Sequence, residues 1–172
     1  MNVNLTEIYE RVFAMLEAFY KENEPDTMKP HIIGMGVDDD GHPCIKGVAM
    51  LPDDVPRELM AALVKGLTEE VLKQDDVELA VFVTEAYMSK LDKEKVPDVD
   101  DEQAVIKYLS ENPDAKVEAC IVSYSWDGAT RALVAHEIKD KVLVRGDMHQ
   151  DGYFGGAMTI NTERVPEGAT IH

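Results

Sequence analysis

Basic residues are scarce in this chain. Seventeen Lys and Arg stand against 34 Asp and Glu, for a formal net charge of −17 over 172 residues. Binding a phosphate backbone needs clustered Lys and Arg, so a field of this sign excludes direct nucleic-acid binding and opposes docking on anionic membranes. Cysteine is almost absent. Cys44 and Cys120 lie far apart with no Cys-x-x-Cys pair, which predicts two reduced, buried thiols in a cytoplasmic protein. No apolar run approaches the ~18 residues of a membrane span. The opening Met1-Asn-Val-Asn-Leu-Thr-Glu7 has no basic segment before an apolar core, so no signal peptide is expected. Missing too are a Gly-x-Ser-x-Gly elbow, a phosphate-cradling glycine loop with Lys, and a His-Glu-x-x-His helix.

What is present describes a folded domain. Apolar residues make up 45% and charged residues 30%, the balance of a soluble globular protein. The length favours one domain, expected over residues 1–160, with a loosely ordered tail over 161–172. Leu5, Ile8, Val12, Leu16 and Phe19 recur at three- and four-residue steps and predict a first helix, capped by Asn4 and closed by Pro25. His31–Val37 and Cys44–Leu51 read as strands of a hairpin around Asp38-Asp-Asp-Gly-His-Pro43. Gly34, Gly36 and Gly47 predict bulges or close backbone approach there. Asp53 and Asp54 are expected to cap a second helix with its buried stripe at Leu59 or Met60, Leu63, Leu67 and Val71.

Val77–Met88 is the strongest strand. Apolar residues fill both alternating sets, so it should be central and covered on two faces. Glu85 falls on the Val77–Val83 face, where a carboxylate must be paired or emerge into solvent. An exposed connector follows over 91–102. Asp100 or Asp101 should cap a short helix through Ser110, with Val105, Ile106 and Leu109 turned inward. A meander closes the pattern: Val117–Tyr124 and Arg131–Ile138 around the Trp126–Ala129 turn, then Val142–Arg145, and a last short strand near Tyr153–Ile160. The order predicts a single α/β domain of the α+β type, with two to three helices packed on a mixed, mostly antiparallel sheet.

Glu85-Ala-Tyr-Met88 and Ser110-Glu-Asn-Pro-Asp-Ala-Lys-Val-Glu118 resemble a family of small uncharacterised bacterial and phage proteins. In that family a strand ends in Glu-Ala-Trp-Met and a Ser-Glu-x-Pro-Asp loop precedes the next strand. Here Tyr87 replaces Trp, and Ala115 stands where Arg is common. The resemblance covers residues 77–145 and implies a shared fold and no particular activity.

Four constellations invite a chemical reading. Asp38-Asp-Asp-Gly-His42 resembles a calcium loop, but Gly36 takes the first ligand position and Gly47 stands where the bidentate Glu belongs, so it reads as an acidic turn. Asp127 with Glu137-Ile-Lys139 resembles a nuclease pattern, yet the hairpin holds Asp127 on the order of 25–30 Å from Glu137, too far to share a metal. Asp147, His149 and Asp151 would project from one face of an extended strand and suit a divalent metal or acid–base work. Glu85 and Glu118 sit in the family-like motifs; an ion pair with Lys139 across the hairpin would account for Glu118.

The acid is uneven, with 24 acidic and 10 basic side chains before residue 103 and 10 and 7 after it. The reading that follows is a non-enzymatic acidic binding protein that engages a basic, nucleic-acid-binding partner, in the manner of a phage inhibitor or nucleic-acid mimic. Its expected binding residues are Glu85, Tyr87, Asp98, Asp100, Asp101, Glu102, Asp147 and His149, with no cofactor or metal. The alternative is a small metal-assisted hydrolase using Asp147, His149 and Asp151.

Overall fold

Strand β3 (Leu79–Ser89) runs through the middle of a seven-stranded sheet, between β1 (His31–Val37) and β4 (Lys116–Ser125). The sheet order is β2 (Pro43–Met50), β1, β3, β4, β5 (Ala132–Lys139), β6 (Val142–Val144), and β7 (Met148–Gln150) also pairs with β5. Every pairing is antiparallel. Among the described residues three α-helices, α1 (Leu5–Glu22), α2 (Arg57–Leu72) and α3 (Glu102–Glu111), complete the α+β domain. The computed structural model describes residues 4–23, 28–92, 94–98 and 100–150. The strand expected near 153–160 and the tail at 161–172 lie outside them.

The two-faced pattern of β3 decides the layering. Leu79, Val81 and Val83 lie under α1 with Ile8, Val12, Leu16 and Tyr20. On the other face, Ala80 and Phe82 pack with Met60, Val64, Leu67 and Val71 of α2. A strand covered on both sides cannot alternate polar and apolar residues, which is why its sequence is continuously apolar. Asn4 caps α1, accepting from the Thr6 N–H at 3.0 Å, and the 18-residue helix presents one apolar stripe to the sheet.

Several local expectations change. Pro56, in extended conformation, takes the N-cap position of α2 with no side-chain cap bond, so Asp53 and Asp54 lie before the helix instead of capping it. The Pro56 ψ of 138° is not helical, so the helix starts after it. In α3 no residue is buried. Ile106 is 54% exposed, and Val105 and Leu109 are half-buried. Ala104, Val105, Tyr108 and Leu109 form the half-buried side of this short helix, and Ile106 falls off that stripe. Cys120 is buried as expected, whereas Cys44 is half-buried; both are free thiols.

The glycine reading of the first hairpin holds. A side chain on Gly36 would sit 2.0 Å from the Asp76 carbonyl oxygen, a close approach only glycine permits. Pairing runs Gly34 to Gly47 and then Met35 to Ile45, so Lys46 is an extra residue bulged out of β2. The turn between β5 and β6 uses two left-handed residues, Asp140 and Lys141, at φ 51° and 63°, the pattern of a two-residue hairpin.

Val81 is fully buried beneath α1. Val81→Asp should lower unfolding free energy by about 3–5 kcal/mol, since a lone carboxylate there has neither water nor partner; urea denaturation reads the loss directly. The thiols give a second check. In the native protein Cys44 should alkylate well before Cys120, and in denaturant both should react without prior reduction, as read by mass spectrometry.

Candidate functional site

Glu85 lies one alternation beyond Val83 on the α1 face of β3. The Tyr20 hydroxyl, from the last turn of α1, donates to its carboxylate at 2.8 Å, so the partner required of a carboxylate on this face is a helix tyrosine. Burial raises the Glu85 carboxyl above its ordinary range and the nearby charge of Glu118 adds to the rise, while the Tyr20 bond works against it. Burial also raises the Tyr20 hydroxyl and pushes the Cys120 thiol up to about 12. Cys120, cross-strand from Glu85, is therefore a protonated core thiol and not a nucleophile.

Tyr87 continues the same face. Its hydroxyl donates to Glu118 at 3.2 Å, and the Lys116 ammonium lies 4.8 Å from its ring centroid. This corrects the ion pair expected for Glu118. The β4–β5 register sets Ala119 opposite Glu137, while Lys139 faces Val142 of β6, and Glu118 is opposite Tyr87 on β3. Glu137 instead pairs with Lys90, and Asp127 pairs with Arg131 inside its own turn. Tyr20, Glu85, Tyr87 and Glu118 thus knit α1, β3 and β4 together by hydrogen bonds.

Asp98, Asp100, Asp101 and Glu102 are all exposed. Asp98 accepts the Asp100 N–H at 3.0 Å, and Asp101 caps α3 by accepting the Ala104 N–H at 3.1 Å. Glu102 occupies the first turn, where the helix dipole favours an anion. They form one acidic turn at the head of a helix whose Ile106 stays uncovered.

Asp147 is exposed and His149 half-buried, the latter opposite Leu133 of β5. Asp151 lies outside the described residues, and among the described residues no three His, Cys, Asp or Glu side chains converge to hold a metal. The segment just before Asp147 is fixed more tightly. Arg145 pairs with Glu10 at 2.6 Å and lies 4.1 Å from the Phe13 ring centroid. The Gly146 carbonyl accepts the Tyr9 hydroxyl at 2.7 Å, and its N–H donates to His136 Nδ1 at 3.0 Å. Since Nδ1 accepts, the neutral ring carries its proton on Nε2, which is buried without a partner. Burial, with the positive charge of Arg145, lowers His136 to about 4. Sequence reading passed over His136, which has no motif around it.

It also passed over the edge of the sheet. Ile45, Val48 and Met50 of β2 are 46%, 55% and 54% exposed. They pair with Met35, Ile33 and His31 in turn, so all three share the α1 face. The bulge at Lys46 brings Ile45 into line with the other two, and α1 does not reach far enough to cover them. With Met15, Phe19 and Met28 they line an apolar groove of about 390 Å³. Between Asp40 and Asp53 the sequence has no carboxylate. The groove strand is thus bounded by Asp38–Asp40 at one end and by Asp53–Asp54 at the other.

Comparison with protein-family models, with curated proteins and with solved structures gave no match.

The buried imidazole sets a pH dependence. An unfolded His titrates near 6.5 and folded His136 near 4, so between these values the unfolded state binds more protons. His136 therefore contributes stability above about pH 6.5 that is lost as pH falls, on the order of 3 kcal/mol by pH 4. Glu85, with its folded carboxyl raised, works in the opposite direction over acidic pH. Urea denaturation at about pH 7 and about pH 5 should show the parent losing more stability than His136→Gln; equal losses would rule out a buried neutral His136.

Proposed function

We propose that this chain is a non-catalytic binding protein that seats a basic segment of another protein along the free edge of β2. The observation that carries this reading is the exposed row Ile45, Val48 and Met50, on a strand that among the described residues pairs on one side only, with β1. An edge of this kind accepts an extended peptide through main-chain hydrogen bonds, and alternate side chains choose the peptide. Large exposed apolar surface next to a groove is the ordinary mark of an interaction site.

Charge supplies the partner's sign. Eight residues of β2 span about 26 Å, with Asp38–Asp40 beyond one end and Asp53–Asp54 beyond the other, where Lys29 of the groove already pairs with Asp53 at 2.9 Å. Hydrogen bonds from the backbone of His42 and Asp40 hold the Asp38 carboxyl below its ordinary value, so that end stays anionic. The complementary segment has an apolar centre and Lys or Arg at both ends. Asp98, Asp100, Asp101 and Glu102 extend the acidic surface that draws such a partner in. A protein that holds nucleic acid in a basic groove carries segments of this composition, which keeps the inhibitor reading in view.

Binding of an immobilised full chain to a synthetic peptide with a Val/Ile centre and Lys-Arg ends tests the proposal. Association should slow about tenfold as salt rises from low to physiological strength, because surface charge acts through steering. Neutralising Asp98, Asp100, Asp101 and Glu102 should slow it further with folding changed by less than about 0.5 kcal/mol. Val48→Asp should abolish capture while the protein remains folded. A folded Val48→Asp variant that binds like the parent would sink the β2 assignment.

A further inference from the structure

A second cavity lies on the opposite face of the sheet from α1. It is a cleft of about 590 Å³ between α2 and strands β3, β4 and β5. Its walls are apolar, formed by Met60 and Val64 of the helix and by Phe82, Ile121 and Leu133 of the sheet. In a chain with 34 carboxylates, none of the described residues' carboxylates lines this cleft, that of Glu69 lying at its rim beside Gly128, and Lys65 is the one charged side chain among the described lining residues. Lys65 makes no ion pair among the described residues. One turn along, Thr68 also lines the cleft. It is only 6% exposed, yet its hydroxyl has no hydrogen-bond partner among the described residues. Two other hydroxyls of the lining are occupied, since Thr84 donates to the Glu85 carbonyl and Ser125 accepts the Gly128 N–H.

Lys65 and Thr68 are three residues apart on α2 and so are neighbours on one helical face. An ammonium and a hydroxyl donor beside an apolar trough make an amphipathic recognition pattern, a polar clamp at one wall and a greasy channel beside it. A single ammonium with neutral hydroxyl donors beside it, Thr68 one helical turn away and Ser123 across on the sheet, matches a monoanion of carboxylate size. A phosphate dianion would need more cations than the lining has, and the −17 field of the chain opposes it. A neutral lipid would leave Lys65 without a purpose at the site. We infer that the α2 cleft binds a medium-chain alkyl monocarboxylate, its carboxylate held by Lys65 and the Thr68 hydroxyl and its chain lying along Val64, Phe82, Ile121 and Leu133. The site stands on the other side of the sheet from the β2 groove and is independent of the peptide reading.

Decanoate, titrated into the full chain below its micelle concentration, is the probe. Calorimetry should show saturable one-to-one binding, and methyl NMR shifts should be confined to Met60, Val64, Ile121 and Leu133. Lys65→Gln should weaken decanoate about tenfold, as loss of a charge-assisted hydrogen bond requires, while leaving methyl decanoate unchanged. Val64→Trp fills the trough from the helix side and should abolish binding of both. Val48→Asp, at the other groove, should leave decanoate binding as it is. The inference fails if binding does not saturate, if Lys65→Gln binds decanoate as the parent does, or if the shifts map to Met15, Ile45 and Val48 instead.

Discussion

Burial of β3 on both faces is the constraint from which the rest of the architecture follows. A strand with apolar side chains in both alternating sets must lie between neighbours and beneath a layer on each side. β1 and β4 supply the neighbours. α1 supplies one layer and α2 the other. Two helices cannot cover both faces of seven strands, so the coverage runs out away from the centre. Where α1 falls short, the groove beside β2 opens; where α2 falls short, the cleft over β4 and β5 opens. Both cavities are products of the same shortage of helix.

The distribution of charge fits this division. Asp38–Asp40, Asp53–Asp54, Asp75–Asp76 and Asp98–Glu102 lie in turns and at helix ends. The β2 strand between two of these groups has no carboxylate, and the lining of the α2 cleft has none either. Inside the domain, the one carboxylate placed on the α1 face of β3 is met by Tyr20. The acid therefore surrounds the apolar openings without entering them, and a ligand that reaches either opening meets little desolvation of charge once there.

Much of the fold was legible because its signals are periodic. The stripe of α1, the alternation-free run of β3 and the turn residues of the hairpins each depend on local spacing, and each appears in the structure within a residue or two. The misplaced details depend on something spacing does not carry. Asp53 and Asp54 looked like caps, but Pro56 already occupied the boundary. Ile106 looked inward because it is apolar, yet the half-buried side of α3 runs through Val105 and Leu109 and leaves it out. The partner of Glu118 turns on which neighbouring strand faces it, and Tyr87 of β3 takes the place expected for Lys139. The row on β2 escaped notice because Ile45, Val48 and Met50 are spaced three and then two, which alternates on no regular strand. Only the bulge at Lys46 puts them on one face. The reduction in carboxylate between Asp40 and Asp53 was the readable trace of that edge.

The clasp between α1 and the segment after β6 has a consequence for the order in which the protein is made. Tyr9 bonds to Gly146 and Glu10 to Arg145, so the first helix leaves the ribosome long before the residues that hold it. Its apolar stripe faces a surface assembled from β1, β3, β4, β5 and β6, which is complete only after residue 144 has emerged. During that interval α1 must persist as an undocked amphipathic helix, or form late. Closing a loop of that length is slow compared with pairing adjacent hairpins. The sheet from β3 through β6 is thus the natural early unit of folding, and the N-terminal helix is the last large piece to lock onto it.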